Sequence, residues 1–362
     1  MTMLARFTTL GVGGPARRLV EAGTRDELVS ATLTAWGEPE DWLLLGGGSN
    51  VVIADEGFPG TVVRVATRGI AVRRAEGPRP VRLTVEAGVP WDDVVAHAVE
   101  NGWGGIEALS GIPGSAGAAP VQNIGAYGQE LAETLVAIDF LDFETGEVVR
   151  LGHDELELGY RTSSLKRGRL GLVLSLELAL ADDGLGMPVA YDQLGRALGA
   201  ELGERRPVGD VRAAVLALRA AKGMLWDPAD PDSASAGSFF TNPIVTEQFA
   251  RGLPSDAPRW PLTAEGEALV LPLGADIPAP VAGPLLVKLS AAWLIERAGI
   301  ARGFSIPGSR AAISAKHTLA IVNRGGATAA DIVQLAGYVQ TRVLSEFGVN
   351  LQPEPVLVGV EL

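Results

Sequence analysis

The sequence predicts α+β architecture spread over more than one domain. Three observations predict it. Short runs such as Thr61–Val65 and Val81–Val85 alternate apolar and polar residues, the pattern of half-buried strands. Near the C-terminus, Thr328 and Asp331 open a long helix carrying an apolar stripe of Ile332, Val333, Ala336, Val339, Val343, Leu344 and Phe347, and Gly348 ends it. Helical and extended segments alternate irregularly, without a repeat of fixed period, along a chain of 362 residues, enough for two or three cores.

Thr24-Arg25-Asp26-Glu27 forms a capping box ahead of a short helix through Leu28, Val29 and Leu33. The apolar strand Asp41–Leu45 runs into Gly46-Gly47-Gly48-Ser49-Asn50 and a second strand, Val51–Ile53. Pro90 suits the first turn of a helix Trp91–Asn101, stopped by Gly102. Residues 104–128 are Gly-rich, apolar and nearly free of charge. Strands Val136–Phe143 and Val148–Leu151 flank the turn Glu144-Thr145-Gly146, and Leu172–Ala181 is a further apolar strand. Residues 182–210 read as a loop-rich insertion before a helix Val211–Ala221, and Pro228–Pro284 is rich in Pro, Asp and Ser. A last strand, Pro355–Val360, is expected to return to the first domain.

Composition narrows the function classes. The chain is 47% hydrophobic and 20% charged, an ordinary globular balance. Its net charge of -13 argues against nucleic acid and against an anionic membrane surface, although Arg and Lys clustered in a pocket can still hold a small anion. With no cysteine, thiolate catalysis, disulfides and Cys-ligated metals are excluded. His97, His153 and His317 are scattered, so no histidine metal site is expected. No apolar run reaches membrane-spanning length, and a soluble cytoplasmic protein is expected.

The richest segment is Gly237-Ser238-Phe239-Phe240-Thr241-Asn242-Pro243. Ser238 lacks a Gly-x-Ser-x-Gly elbow, and the sequence offers it no histidine partner, so proton delivery fits it better than acyl transfer. Gly46–Asn50 reads either as an anion-binding loop or as a tight Gly-rich hairpin; it is neither a Walker loop nor a dinucleotide fingerprint. Ile112-Pro113-Gly114 and Gln122-Asn123-Ile124-Gly125-Ala126-Tyr127-Gly128 form a second small-residue region, and the two together can line a dinucleotide. Tyr160-Arg161 offers a guanidinium suited to a carboxylate, or a plain surface turn. Lys222 reads alone as a helix C-terminal charge, Tyr191 as a packing tyrosine and His317 as a strand cap. Pro353-Glu354-Pro355 reads as a rigid turn that aims its carboxylate.

Taken in order, with Thr9-Leu10-Gly11 ahead of them, these segments resemble one family, the flavin-dependent UDP-N-acetylenolpyruvoylglucosamine reductases (the MurB type). The resemblance implies an FAD-binding fold of the vanillyl-alcohol-oxidase/PCMH type in two subdomains plus a C-terminal α+β substrate-binding domain. The boundaries it suggests are 1–68 joined by the strand 353–362, then 69–218, then 219–352. It implies non-covalent FAD held by Gly46, Gly47, Gly48, Ser49, Asn50, Ile112, Pro113, Gly114, Gln122, Asn123, Gly125, Ala126, Tyr127 and Gly128. NADPH is the implied co-substrate, and the implied substrate is the enolpyruvyl ether of UDP-N-acetylglucosamine. Ser238 is the implied proton donor, with Arg161 and a protonated Glu354 stabilising the enolate. Tyr191, Lys222, Asn242, Tyr160 and His317 complete the expected substrate set, and Tyr191 marks the loop-containing subtype. Thr241 stands where the family commonly has Lys, so one phosphate contact is expected to be missing or relocated. No metal, nucleic acid or membrane partner is implied, and a monomer is expected. Two rivals stand beside this reading. One is an oxygen-using oxidase on the same fold, which commonly tethers flavin through His or Cys; the other is a non-catalytic binding module.

Overall fold

A computed structural model of the chain describes residues 2–262 and 285–362. Part of the Pro-, Asp- and Ser-rich stretch Pro228–Pro284 therefore lies outside the described residues. The N-terminal sheet orders Thr2–Met3, Pro15–Ala22, Phe58–Val65 and Trp42–Leu45. Its last three strands are parallel, with Leu19 opposite Val62 and Leu43 also opposite Val62. The helix Arg25–Gly37 supplies the crossover, and Thr24 and Glu27 close the expected capping box. Leu28 and Ala35 on that helix pack on Val63 and Val65.

A five-stranded antiparallel sheet follows, in the order Val148–Gly152, Leu135–Asp142, Gly171–Leu180, Val81–Glu86 and Ile70–Arg74. Its central strand, Gly171–Leu180, is buried at every position after the first, because both of its faces are covered. Leu176, Leu178 and Leu180 meet the helix Trp91–Glu100 in one core, and Leu172 and Leu174 meet the helix Arg25–Gly37 in another. The chain between Gly102 and Gly128 has only short helical turns and a two-residue hairpin strand, as its many glycines and lack of periodicity suggest.

In the C-terminal region the helix Ala329–Phe347 packs on the two-stranded ladder Ala311–Ile313/Ile321–Asn323 and on the helix Ala291–Arg297. Its buried stripe is Ile332, Leu335, Ala336, Val339 and Val343. Leu344 is half exposed instead, because it lies past the edge of that stripe while Leu335 fills the core. The last strand is Val356–Val358, and it pairs in parallel with Val51–Ile53 of the first region, as expected.

Three other expectations change. Gly46–Asn50 is not a hairpin: Trp42–Leu45 and Val51–Ile53 belong to different sheets, so the loop carries the chain from one to the other. Residues 182–210 contain a helix, Asp192–Leu198, and the following helix begins at Val208 rather than Val211. Pro90 is the N-cap of its helix, one residue before the first turn. No described helix is long and apolar enough to cross a membrane.

Candidate active site

Ser238 owes its position to the backbone on either side of it. Gly237 takes a φ of +75°, a turn that turns the chain into the pocket wall. Phe239 and Phe240 then bury fully, edge to face at 5.2 Å, and anchor the segment in the C-terminal core. The Phe239 N–H donates to the Leu319 carbonyl at 2.7 Å, zipping this segment to the one that carries His317. The outcome corrects the sequence reading. Ser238 Oγ lies 3.3 Å from His317 Nε2, across 79 residues of chain, so it does have a histidine partner.

Glu354 is fixed from three directions. Its N–H donates to the Phe239 carbonyl at 2.9 Å. Its own carbonyl accepts from Asn50 Nδ2 at 3.2 Å and Gln122 Nε2 at 3.3 Å, one side chain from each glycine-rich region. Its carboxylate stands 3.7 Å from Arg161 Nε. Burial raises the Glu354 pKa, against the lowering pull of Arg161 and Lys166. Arg161 adopts a left-handed φ of +53°, a costly conformation for a residue with a side chain. It is held there by a donation from Nη2 to the Gly125 carbonyl at 2.7 Å and by Lys166 Nζ donating to its own carbonyl at 3.0 Å. Asn123 and Tyr127 also take positive φ, so three such residues surround one site.

The two glycine-rich regions face each other across a cavity of about 570 Å³. A Cβ on Gly47 would lie 2.6 Å from Gly114 Cα, and one on Gly48 would lie 1.8 Å from the Phe7 carbonyl oxygen. The loops thus approach backbone to backbone, which only glycine allows. The N–H groups of Gly47, Gly48, Ser49 and Asn50, and those of Gly114 and Ser115, find no described protein acceptor. Six unpaired amide donors around one cavity form an anion cradle without lysine, which fits a cofactor pyrophosphate. Leu43, Leu45 and Trp91 add apolar wall for the rest of a dinucleotide.

Gly46, Ile112, Pro113, Gln122, Gly125, Ala126 and Tyr127 line the same cavity, as do Arg161, Tyr191, Lys222, Ser238, His317 and Glu354. Asn123 and Gly128 do not. Asn123 is fully buried and ties the loop together by donating to Glu130 and Gly159 and accepting from Ala132. Gly128, at φ +83°, lets the loop pass close to Ala190. Tyr160 also lies outside the lining and stacks under Lys288 at 4.7 Å. Asn242 lies outside it too, its Oδ1 accepting from the Ala291 N–H that opens a helix. Lys222 donates to Gln193 at 2.9 Å and sits over the Tyr127 ring, which meets Tyr191 edge to face. Thr241 is tied to the Gln352 carbonyl and brings no cation.

Sequence reasoning missed Arg219, which lines the cavity while only 7% exposed. The available signal was its spacing of three residues from Lys222, which puts the two on one side of the helix end. Arg161, Arg219 and Lys222 give the cavity a positive field inside an acidic protein, and burial is the first cause lowering the pKa of both Arg219 and Lys222. The His317 pKa falls to about 4, mainly through burial and further through Lys222, Arg302 and Arg219, so its imidazole is neutral.

The chain is similar to proteins of one family over nearly its whole length. Residues 16–152 match a family model described as an FAD binding domain, and residues 228–358 match the C-terminal domain of UDP-N-acetylenolpyruvoylglucosamine reductase. The protein of that name from Leifsonia xyli is 59% identical, covering 99% of this chain and 98% of its own. Its counterpart from Saccharopolyspora erythraea is 49% identical over 99% of this chain and 95% of its own. The crystal structure of the Thermus caldophilus reductase superposes with a TM-score of 0.62 at 27% identity, covering 99% of this chain and 97% of that one.

Proposed function

The chain belongs to the UDP-N-acetylenolpyruvoylglucosamine reductase family, an FAD-dependent oxidoreductase of peptidoglycan precursor synthesis, and from that premise we propose how its own residues act. The substrate is the enolpyruvyl ether of UDP-N-acetylglucosamine, the product is the lactyl ether, and NADPH is the electron source. FAD, when bound in the amide cradle, supplies the hydride that reaches the methylene carbon.

Hydride addition at one alkene carbon leaves charge on its neighbour, delocalised into the carboxylate. Arg161 and a protonated Glu354 donate hydrogen bonds to those carboxylate oxygens, a role that the raised pKa of Glu354 suits. Ser238 gives its proton to the charged carbon. Neutral His317 makes that direction possible: with the proton on Nε2 it donates to Ser238 Oγ, leaving the hydroxyl hydrogen free to face the cavity. Lys222 and Tyr191 take the nucleotide sugar at the other wall, and Tyr160 and Asn242, outside the lining, complete the proposed substrate set. The division into 1–68 with 353–362, 69–218 and 219–352 accompanies this assignment. The rival oxidase reading loses ground because the sequence has no cysteine and no histidine lies within either glycine-rich loop to tether a flavin.

One observation carries the reading: Ser238, Arg161 and Glu354, distant in sequence, meet at the cavity that holds the unpaired amides. The test is stopped-flow spectroscopy of Ser238→Ala. Flavin reduction by NADPH is expected to stay near the wild-type rate, while reoxidation by the enolpyruvyl nucleotide slows by several orders of magnitude. Unchanged reoxidation in the variant removes Ser238 from the mechanism.

A further inference from the structure

Arg219 is the most deeply buried cation of the cavity, and no described carboxylate comes within ion-pair reach of it. Two of its nitrogens are spent on carbonyls, Nε on Gly111 at 3.1 Å and Nη2 on Met224 at 3.3 Å. Asp92, an acid near enough to act on it through its field, is already clasped by both terminal nitrogens of Arg212, at 2.6 and 2.8 Å. A guanidinium taken out of water without a counter-ion is costly, and removing it from the fold would ordinarily be favoured. Its retention points to an anion that arrives with a ligand.

Under the proposed reaction the cofactor pyrophosphate takes the amide cradle and the substrate carboxylate takes Arg161 and Glu354, which leaves two anions for Arg219, the diphosphate of the nucleotide sugar and the flavin ring once it is reduced. We propose that Arg219 is the fixed counter-charge for the reduced flavin ring, and not a phosphate ligand. Placement favours the ring. The bond to the Gly111 carbonyl seats Arg219 immediately ahead of Ile112-Pro113-Gly114, on the cofactor side of the cavity. Tyr127, from the second cofactor loop, shares its field. Lys222, three residues on and far less buried, is the cation turned to the substrate wall, donating to Gln193 of the helix that Tyr191 caps.

Charge conservation gives the physical effect. A hydride brings two electrons and one proton, so the ring gains one net negative charge on reduction. A cation held nearby at low dielectric favours that state, raises the midpoint potential and speeds reduction by NADPH. This inference rests on the FAD-dependent reading above, and the experiment separates the two.

Holoenzyme carrying Arg219→Met, Arg219→Gln or Arg219→Lys is equilibrated with a reference dye to obtain the two-electron midpoint potential of its flavin. Substrate binding is followed by perturbation of the oxidised flavin spectrum. In the Met and Gln variants the reduction equilibrium is expected to move about tenfold toward the oxidised form, ~30 mV for two electrons, with substrate binding close to wild type. The Lys variant, which keeps the charge, restores most of the potential. Gln keeps a donor for the Gly111 carbonyl and carries the test if Met fails to fold. Wild-type potential together with weakened substrate binding would assign Arg219 to the diphosphate and overturn the proposal. Wild-type protein that takes up no FAD would instead sink the flavin reading itself.

Discussion

The imidazole of His317 is squeezed by burial and by three cations, with its pKa at about 4 against an ordinary 6.5. Unfolded chain therefore binds a proton there between those two values while folded chain does not. Stability linked to this group is complete above the upper value and is lost as pH falls toward the lower one, by roughly 3 kcal/mol at the end. Urea midpoints across that window are expected to fall less steeply for His317→Gln than for wild type. The same substitution checks the hydrogen bond to Ser238. Glutamine can still donate to the serine oxygen, so His317→Gln should keep reoxidation by substrate within about tenfold, whereas His317→Ala should cost about a hundredfold. Equal rates in the two variants would argue that His317 merely fills space. At this scale Ser238, Arg161 and Glu354 were legible as motifs because each keeps its own sequence surroundings. The serine–histidine contact was not, since it depends on how Phe239 meets Leu319.

Residues 182–207 hold Tyr191 over the cavity, and one buried carboxylate ties them down. Glu107 is 1% exposed and accepts from Met187 N–H at 2.6 Å, from Gly105 N–H at 2.6 Å and from Gln129 at 3.3 Å. Glu107→Ala leaves those donors without a partner, a loss of about 2–4 kcal/mol in stability. The segment around Met187 is expected to become sensitive to limited proteolysis, and KM for the nucleotide sugar to rise with little change in kcat. A kcat loss at constant KM would place the effect in the chemistry instead. The short helix Asp192–Leu198 in this segment escaped sequence reasoning for a physical reason: its N-cap, Tyr191, makes no side-chain cap bond. It is stabilised by packing Leu194 and Leu198 on Ala108, Val211 and Val215, contacts that no local pattern reveals. The helix Ala329–Phe347 was legible because its capping box and its Gly348 stop are written in adjacent residues.

The whole molecule is joined at its two ends. Val356–Val358 pairs with Val51–Ile53, and Asn50 reaches the Glu354 carbonyl across 304 residues. Deleting residues 355–362 leaves Glu354 in the chain but removes the strand that holds it. The shortened protein is expected to bind FAD at least about tenfold more weakly, by fluorescence titration, and to lose substrate-driven reoxidation even where NADPH still reduces the flavin. Full activity in that variant would show that Asn50, Gln122 and the Phe239 carbonyl suffice to position Glu354. The returning strand itself was legible from its apolar run; that it pairs with Val51–Ile53 and brings Glu354 against Asn50 was not, because parallel pairing leaves no turn between the partners.

This closure also bears on biosynthesis. Chains emerge N-terminus first, and early regions begin to fold before the end is made. Here the amides of Gly47–Asn50 exist early, but Asn50 waits for Glu354, 304 residues later, before its own side chain is satisfied. A chain cut short before Glu354 thus carries all six cradle amides but neither that carboxylate nor the strand beside it. Glu354 and the strand Val356–Val358 are late additions to a wall whose other parts are already made.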